Sequence, residues 1–255
     1  MTGMRKLSIL MYHQVGDFNN IKTLKANYCH HRSFSRQMAM LKITGQTVIP
    51  MSKAVEFLKG EGDYPDRCVA ITFDDGYENF YQYAYPVLMK YGFSAMVYVV
   101  SGEFSGSSGW LTEDNHKPSP LMSTQQILEI HRNGIEIGSH SVTHPRLANI
   151  DLEDCRIELQ QSKDALEQLL GCEVDHVCYP YGSCSKDVLQ IASEVGYHVG
   201  TTTVKGVASA GHDALALPRK AVSVNDTTFK VWKNIFRKAG APSGSIVLQS
   251  IFSAK

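Results

Sequence analysis

Residues 68–77 read Cys68-Val69-Ala70-Ile71-Thr72-Phe73-Asp74-Asp75-Gly76-Tyr77. The first six are apolar or β-branched and do not alternate with polar residues. Such a run is a strand buried on both faces, the kind found in parallel sheets covered by helices. It ends in two adjacent carboxylates and a glycine. In parallel α/β folds the C-terminal ends of strands carry the chemistry. Two neighbouring carboxylates at the end of an apolar strand are costly unless compensated, and their proximity pushes one pKa up. A divalent cation held by one of them removes the conflict and leaves the other as a base. Alternatively, Asp74 or Asp75 caps the helix that starts near Glu78.

The same alternation runs outward from this strand. Upstream, residues 7–12 form a buried strand that ends at His13. Downstream, residues 95–100, 135–138 and 177–179 read as strands, with weaker signals over 199–204 and 221–224. Between them lie helical patterns. One runs through Phe34, Met38 and Leu41 with Ser33 as N-cap. Another covers 53–59 with Ser52 as cap and Gly60 at its end. Residues 78–91 form a helix closed by Gly92, with Pro86 kinking it. Ser123 caps 125–132, 151–170 ends at Gly171, and 186–195 precedes Gly196. Residues 227–238 form a last helix, and 245–252 are apolar without a clear period. Residues 101–120 are a long Gly/Ser/Pro loop, of the length that usually has a function. Strands alternating with helices predict an α/β fold with a parallel sheet. The strand count suits a closed or nearly closed (β/α) barrel, read as one domain over residues 1–255. Neither a GxGxxG nor a P-loop is present, which weighs against a nucleotide site.

Composition narrows the function. Lys+Arg and Asp+Glu are equal at 25 each, so the formal net charge is zero. A dedicated nucleic-acid binder would carry a basic excess. No run approaches the ~18 apolar residues of a membrane span, and the apolar run before His13 is short for a signal peptide. The expectation is a soluble cytoplasmic protein. The six cysteines, Cys29, Cys68, Cys155, Cys172, Cys178 and Cys184, are irregularly spaced with no CxxC. They read as reduced and mostly buried.

Two further segments follow strands. Ser139-His140-Ser141-Val142-Thr143-His144 places two histidines four apart. Pro145 disfavours helical geometry at His144, so the pair lies on a tight turn. Two histidines and one carboxylate with open positions form a known hydrolytic metal set, and Asp75 supplies the carboxylate. Zn²⁺ suits these donors best, with Co²⁺, Ni²⁺ and Fe²⁺ as other candidates. Such an ion lowers the pKa of a bound water toward about 7 and polarises a carbonyl. The second segment, Tyr179-Pro180-Tyr181-Gly182, is a rigid turn whose backbone N–H groups can face an oxyanion.

Thr-Phe-Asp-Asp-Gly, His-Ser-x-x-His and Tyr-Pro-Tyr-Gly, in this order, resemble the polysaccharide deacetylases of carbohydrate esterase family 4. The resemblance covers roughly residues 7–224. It implies a distorted (β/α)7 barrel and a metal-dependent hydrolase that removes acetyl groups from glycans. By that resemblance Asp74 is the general base, Asp75, His140 and His144 hold the metal, and Tyr181 joins the oxyanion site through its backbone N–H. Many members carry an Arg two residues before the Pro of the third motif, where this chain has Cys178; Arg219 is the candidate replacement for orienting the base. Many also end with a Leu-x-His, which Ile246-Val247-Leu248-Gln249-Ser250 lacks. His13 takes the acid role, as in the permuted subgroup of exopolysaccharide deacetylases. Tyr77, Trp110 and Tyr181, with Tyr98 a further candidate, are expected to line the sugar groove. The expected partner is an acetylated glycan or sugar precursor. Two other readings stand beside this one: hydrolysis of a small amide or imide, and a glycan-binding module with a decayed site.

Overall fold

The computed structural model describes residues 5–18, 20–113 and 117–237, and strands and helices largely alternate along them. In chain order they are β1 (Lys6–Tyr12), β2 (Gln14–Gly16), β3 (Tyr28–His30), α1 (His31–Ile43), β4 (Thr47–Val48), α2 (Ala54–Leu58), β5 (Arg67–Phe73), α3 (Tyr85–Tyr91), β6 (Met96–Val99), α4 (Trp110–Glu113), α5 (Thr124–Arg132), β7 (Glu136–Ser139), α6 (Leu152–Leu170), β8 (His176–Cys178), α7 (Lys186–Val195), β9 (Val199–Lys205), β10 (Leu217–Ala221) and α8 (Thr228–Asn234).

Seven of these strands close a parallel barrel. β1 pairs with both β5 and β10, and β6 to β9 complete the ring. The barrel is irregular at β5. Its early residues Cys68 and Val69 pair with β4, and its later residues Thr72 and Phe73 pair with β6. The fold is thus an α/β barrel of the (β/α)7 kind.

The period of two along each strand sorts the side chains. Leu7, Ile9, Cys68, Ala70, Met96, Tyr98, Cys178, Val199 and Leu217 point inward and pack with one another. Phe57 and Leu58 of α2 join the same cluster and close the N-terminal mouth. The opposite faces, including Leu10, Tyr12, Val69, Ile71, Phe73, Val97 and Val177, pack against the surrounding helices. Following the inward parity past Ala70 brings Thr72 and Asp74 into the barrel, and past Leu217 brings Arg219. The polar residues at the strand ends therefore converge on one mouth.

Several local expectations change. The N-cap of α1 is His30, whose ring accepts from the Arg32 N–H; Ser33 lies inside the first turn. Ser52 sits in a 3-10 turn over Met51–Lys53, not at a cap. There the Glu136 carboxylate accepts the N–H groups of Met51 and Ser52. Residues 78–91 are not one α-helix. A wide π turn covers Phe80–Ala84, with the Tyr85 N–H on the Phe80 carbonyl, and α3 follows. A π turn leaves room for the Pro86 ring and its missing donor. The last strand is Leu217–Ala221 rather than 221–224, so Arg219 is inside it. Strands β2 and β3, three residues each, carry too little pattern to be read. The loop 101–120 contains α4, and Cys172 is exposed. Ser123 does cap α5, in a full capping box with Gln126. The apolar segment 245–252, its Ile246–Ser250 stretch and residue 238 of the last helix lie outside the described residues. Among the described residues, no helix is long and apolar enough to cross a membrane.

Candidate active site

Asp74 follows β5 directly, and its N–H donates to the Tyr12 carbonyl at 2.9 Å. Its carboxylate meets Arg219 in a two-pronged contact, with both N···O distances 2.7 Å. Both residues are buried, at 3% and 1% exposure. The guanidinium is fully engaged. Its Nε donates to the Thr202 carbonyl at 2.9 Å, Nη1 to the Thr72 hydroxyl at 3.1 Å and Nη2 to the Cys178 sulfur at 3.1 Å. Burial works against an ionised Asp74, but the charge and hydrogen bonds of Arg219 outweigh it and hold the carboxyl below its usual range. Arg219 is raised in turn by Asp74, against its own burial.

The second carboxylate faces the histidines. Oδ1 of Asp75 stands 3.1 Å from Nε2 of His140 and 3.3 Å from Nε2 of His144. Nδ1 of His140 lies 2.7 Å from the Cys178 carbonyl. A carbonyl only accepts, so Nδ1 carries the proton, and in the neutral ring the Nε2 lone pair points at Asp75. A lone pair facing a carboxylate is repulsive unless a proton or a cation lies between them. Ligands about 2.1 Å from a tetrahedral ion stand roughly 3.4 Å apart, close to the separations seen here. The donor atoms of all three residues lie within 4.8 Å of one another. They fit a divalent cation. Despite burial, the two imidazoles hold the Asp75 carboxyl well below its usual range. His140 is raised, against burial, by Cys178 and Asp75, whereas burial dominates at His144 and lowers it.

A second cluster, Asp17, His30 and His31, also brings donor atoms together. There Nδ1 of His30 accepts the Arg32 N–H at 3.2 Å, while Nε2 is 3.0 Å from Asp17. A ring whose Nδ1 accepts carries its proton on Nε2, which donates to Asp17, so the cluster is a helix cap with a hydrogen bond to a carboxylate rather than a metal site.

The backbone near the mouth is unusual. Asp75, Ser141, His144 and Tyr181 all have positive φ, between 58° and 74°. Non-glycine residues there cost about 1–3 kcal/mol each, and such residues cluster at active sites. The Ser141 hydroxyl accepts the His144 N–H at 3.1 Å. The His144 ring is enclosed by Trp110, stacked at 4.5 Å, and by Tyr181 at 4.7 Å.

The structure brings His13, Asp74, Asp75, His140, His144, Tyr181 and Arg219 to one mouth. His13 is the loosest member, with Nε2 3.8 Å from Asp74 Oδ2. Neither Asp74 nor Asp75 caps a helix. The groove residues are placed differently from expectation. Tyr77 is 1% and Trp110 8% exposed. Both belong to a small cluster with Val100, Leu111 and Leu121, because the loop after β6 folds inward and covers the His144 ring. Tyr98 is buried inside the barrel. Tyr181 is partly exposed, and the exposed Arg146 lies over its ring at 3.8 Å.

Sequence reading did not find Glu158, Arg146, Thr202 or Thr203. Thr202 and Thr203 act through a bulge that no residue pattern marks. Arg146 follows the second motif directly, and its proximity to that motif was the available signal.

The model of the family described as Polysaccharide deacetylase matches residues 61–200. The Bacillus subtilis (strain 168) protein YxkH, named for the same family, is 32% identical over 218 residues, covering 86% of this chain and 72% of that protein. The poly-beta-1,6-N-acetyl-D-glucosamine N-deacetylase of Staphylococcus aureus (strain MRSA252) is 22% identical over 222 residues, 84% of this chain and 73% of the relative. Among solved structures, the Streptococcus pyogenes deacetylase PplD in complex with acetate superposes with a TM-score of 0.79 at 27% identity, covering 91% of this chain and 99% of that one. With the motifs, the barrel and these likenesses in agreement, this chain belongs to the polysaccharide deacetylase family.

Proposed function

We propose that this chain is a metal-dependent deacetylase that removes acetyl groups from the N-acetylated amino sugars of a glycan or glycan precursor. One observation carries the reading. A carboxylate held ionised by a buried arginine stands beside a second carboxylate that closes a set with two histidines. The N-deacetylase named among the relatives favours an N-acetyl substrate.

Asp75, His140 and His144 would hold a divalent cation, with Zn²⁺ the best match to two imidazoles and a carboxylate. When bound, such an ion acidifies water and polarises the acetyl carbonyl. Asp74 accepts the proton of the attacking water. Arg219 keeps that carboxylate ionised and fixes its plane through the two-pronged contact. His13, beside Asp74, delivers a proton to the departing amine. Tyr181 contributes its backbone N–H on the side where the oxyanion develops. The complete donor set weighs against a decayed binding module.

The decisive experiment measures acetate release from N-acetylglucosamine oligomers and acetylated precursor sugars, with added Zn²⁺ or Co²⁺ and a chelated control. Metal-dependent acetate supports the reading. No acetate from metal-loaded protein, with turnover of a small amide or glycan binding without turnover, would replace it.

A further inference from the structure

We propose that α6 braces the two-histidine loop and so sets its affinity for the cation; this rests on the metal reading above. The Glu158 carboxylate accepts the N–H of Val142 at 2.8 Å, the N–H of Thr143 at 2.9 Å and the Thr143 hydroxyl at 2.6 Å. One turn further along α6, the Ser162 hydroxyl lies 2.8 Å from that of Ser139, which accepts the Ser141 N–H at 3.3 Å. Glu158 and Ser162 are four apart and share one helix face. Together they grip the loop on both sides of Ser141. Neither side chain is among the three cation donors.

The loop needs such a grip. Ser141 and His144 hold φ of 64° and 65°, and Pro145 favours an extended residue before it. A conformation of this kind persists only where its surroundings over-determine it. Two successive N–H groups aimed at one carboxylate supply that determination through charge-assisted bonds. Without them the segment between His140 and His144 relaxes, and the two Nε2 atoms lose their common distance to Asp75. Residues that orient metal ligands from behind typically change affinity 10- to 100-fold.

The test is the Zn²⁺ dissociation constant, by competition with a chromophoric chelator, for the full chain and for Glu158→Ala, Glu158→Gln, Ser162→Ala and Thr143→Val. Amide hydrogen exchange at residues 142 and 143 is followed in the metal-free proteins. Glu158→Ala should weaken Zn²⁺ about 10- to 100-fold and speed exchange at both amides. Glu158→Gln keeps one accepting oxygen and should fall between it and the parent. Ser162→Ala and Thr143→Val, each losing one hydroxyl contact, should show smaller losses of the same sign. A purely structural role would lower melting of the metal-free protein and leave affinity below that transition intact. Parental affinity in Glu158→Ala and Glu158→Gln would overturn the brace alone. Failure of the parent to take up Zn²⁺ or Co²⁺ would instead overturn the metal reading, and the brace with it.

Discussion

Asp74 and Arg219 form an ion pair buried at the mouth of a barrel, and its two halves are not equally replaceable. Removing one partner leaves a buried charge, which costs about 3–5 kcal/mol. Arg219→Met should therefore destabilise the fold by that order, measured by urea unfolding. It should also shift the balance at Asp74 upward, since burial is then opposed only by the smaller contributions of His13 and His140. The sign follows directly. With Arg219 present, the folded-state pKa of Asp74 lies below the ordinary 3.8, so the pair's contribution is present above about pH 4 and fades as pH falls further. In Arg219→Met the carboxyl protonates at higher pH, and the acid limb of activity should move upward. Asp74→Asn should lower kcat at least as much as a lost general base, about 10²- to 10⁴-fold, with Zn²⁺ uptake retained. Near-parental turnover would remove Asp74 from the base role. His13→Gln should fall in the same range, with its loss confined to kcat.

A single irregularity in β9 organises two parts of the site. Leu217 pairs with Thr201, but Arg219 pairs with Lys205, so β9 bulges between these points. The bulge turns the Thr202 carbonyl onto Arg219 and lets the Thr203 hydroxyl donate to the Tyr181 carbonyl at 3.3 Å. Bulges commonly re-aim groups beside active sites. Gly182 is pressed against it: a Cβ there would meet the Thr203 Oγ1 at 2.1 Å and the backbone N at 2.8 Å, with φ already at 69°. Gly182→Ala should thus lower the melting temperature and kcat together, by more than the about 1–2 kcal/mol that a left-handed conformation alone costs a residue with a Cβ. Next to Arg219 on β10, Lys220 donates to the carbonyl of Asn234, the last residue of α8, and to that of Arg237 just beyond it. Cations are favoured at a helix C-terminus, and this contact ties the last described helix to the barrel. Burial, with Lys205 and Arg237 nearby, lowers the Lys220 amine to about 8.

For the molecule as a whole, the site spans β1, β5, β7, β8 and β10, so whatever binds there is linked to the folding of the barrel. A ligand at 100 times its dissociation constant adds about 2.7 kcal/mol. At about 2–4 °C per kcal/mol for a chain of this size, Zn²⁺ should raise the melting temperature by roughly 5–10 °C over the chelated protein. Asp75→Ala should abolish that increment. An equal increment in Asp75→Ala would place the ion elsewhere.

Unbroken apolar strands ending in Asp-Asp-Gly and in the two-histidine segment already marked the parallel barrel and its reactive ends, because strand burial and residue chemistry are written locally. The same holds for the Ser123 cap and for Gly92 and Gly171, which end helices in left-handed conformation as their positions in the pattern suggested. The pairing of Arg219 with Asp74 was read as a candidate, but its geometry depends on barrel closure, which sets β1 between β10 and β5 and so joins residues 145 apart in the chain. The inward fold of Trp110, the β9 bulge and the Glu158 grip left no readable trace. Each arises where one segment meets another and a buried polar group or ring takes whatever partner packing provides. Sequence by itself determined the main buried strands of the barrel and which chemistry stands at their ends. Only the tertiary structure decided which side chains support that chemistry, because hydrogen bonds and stacking act over a few ångströms and those distances exist only once the barrel has closed.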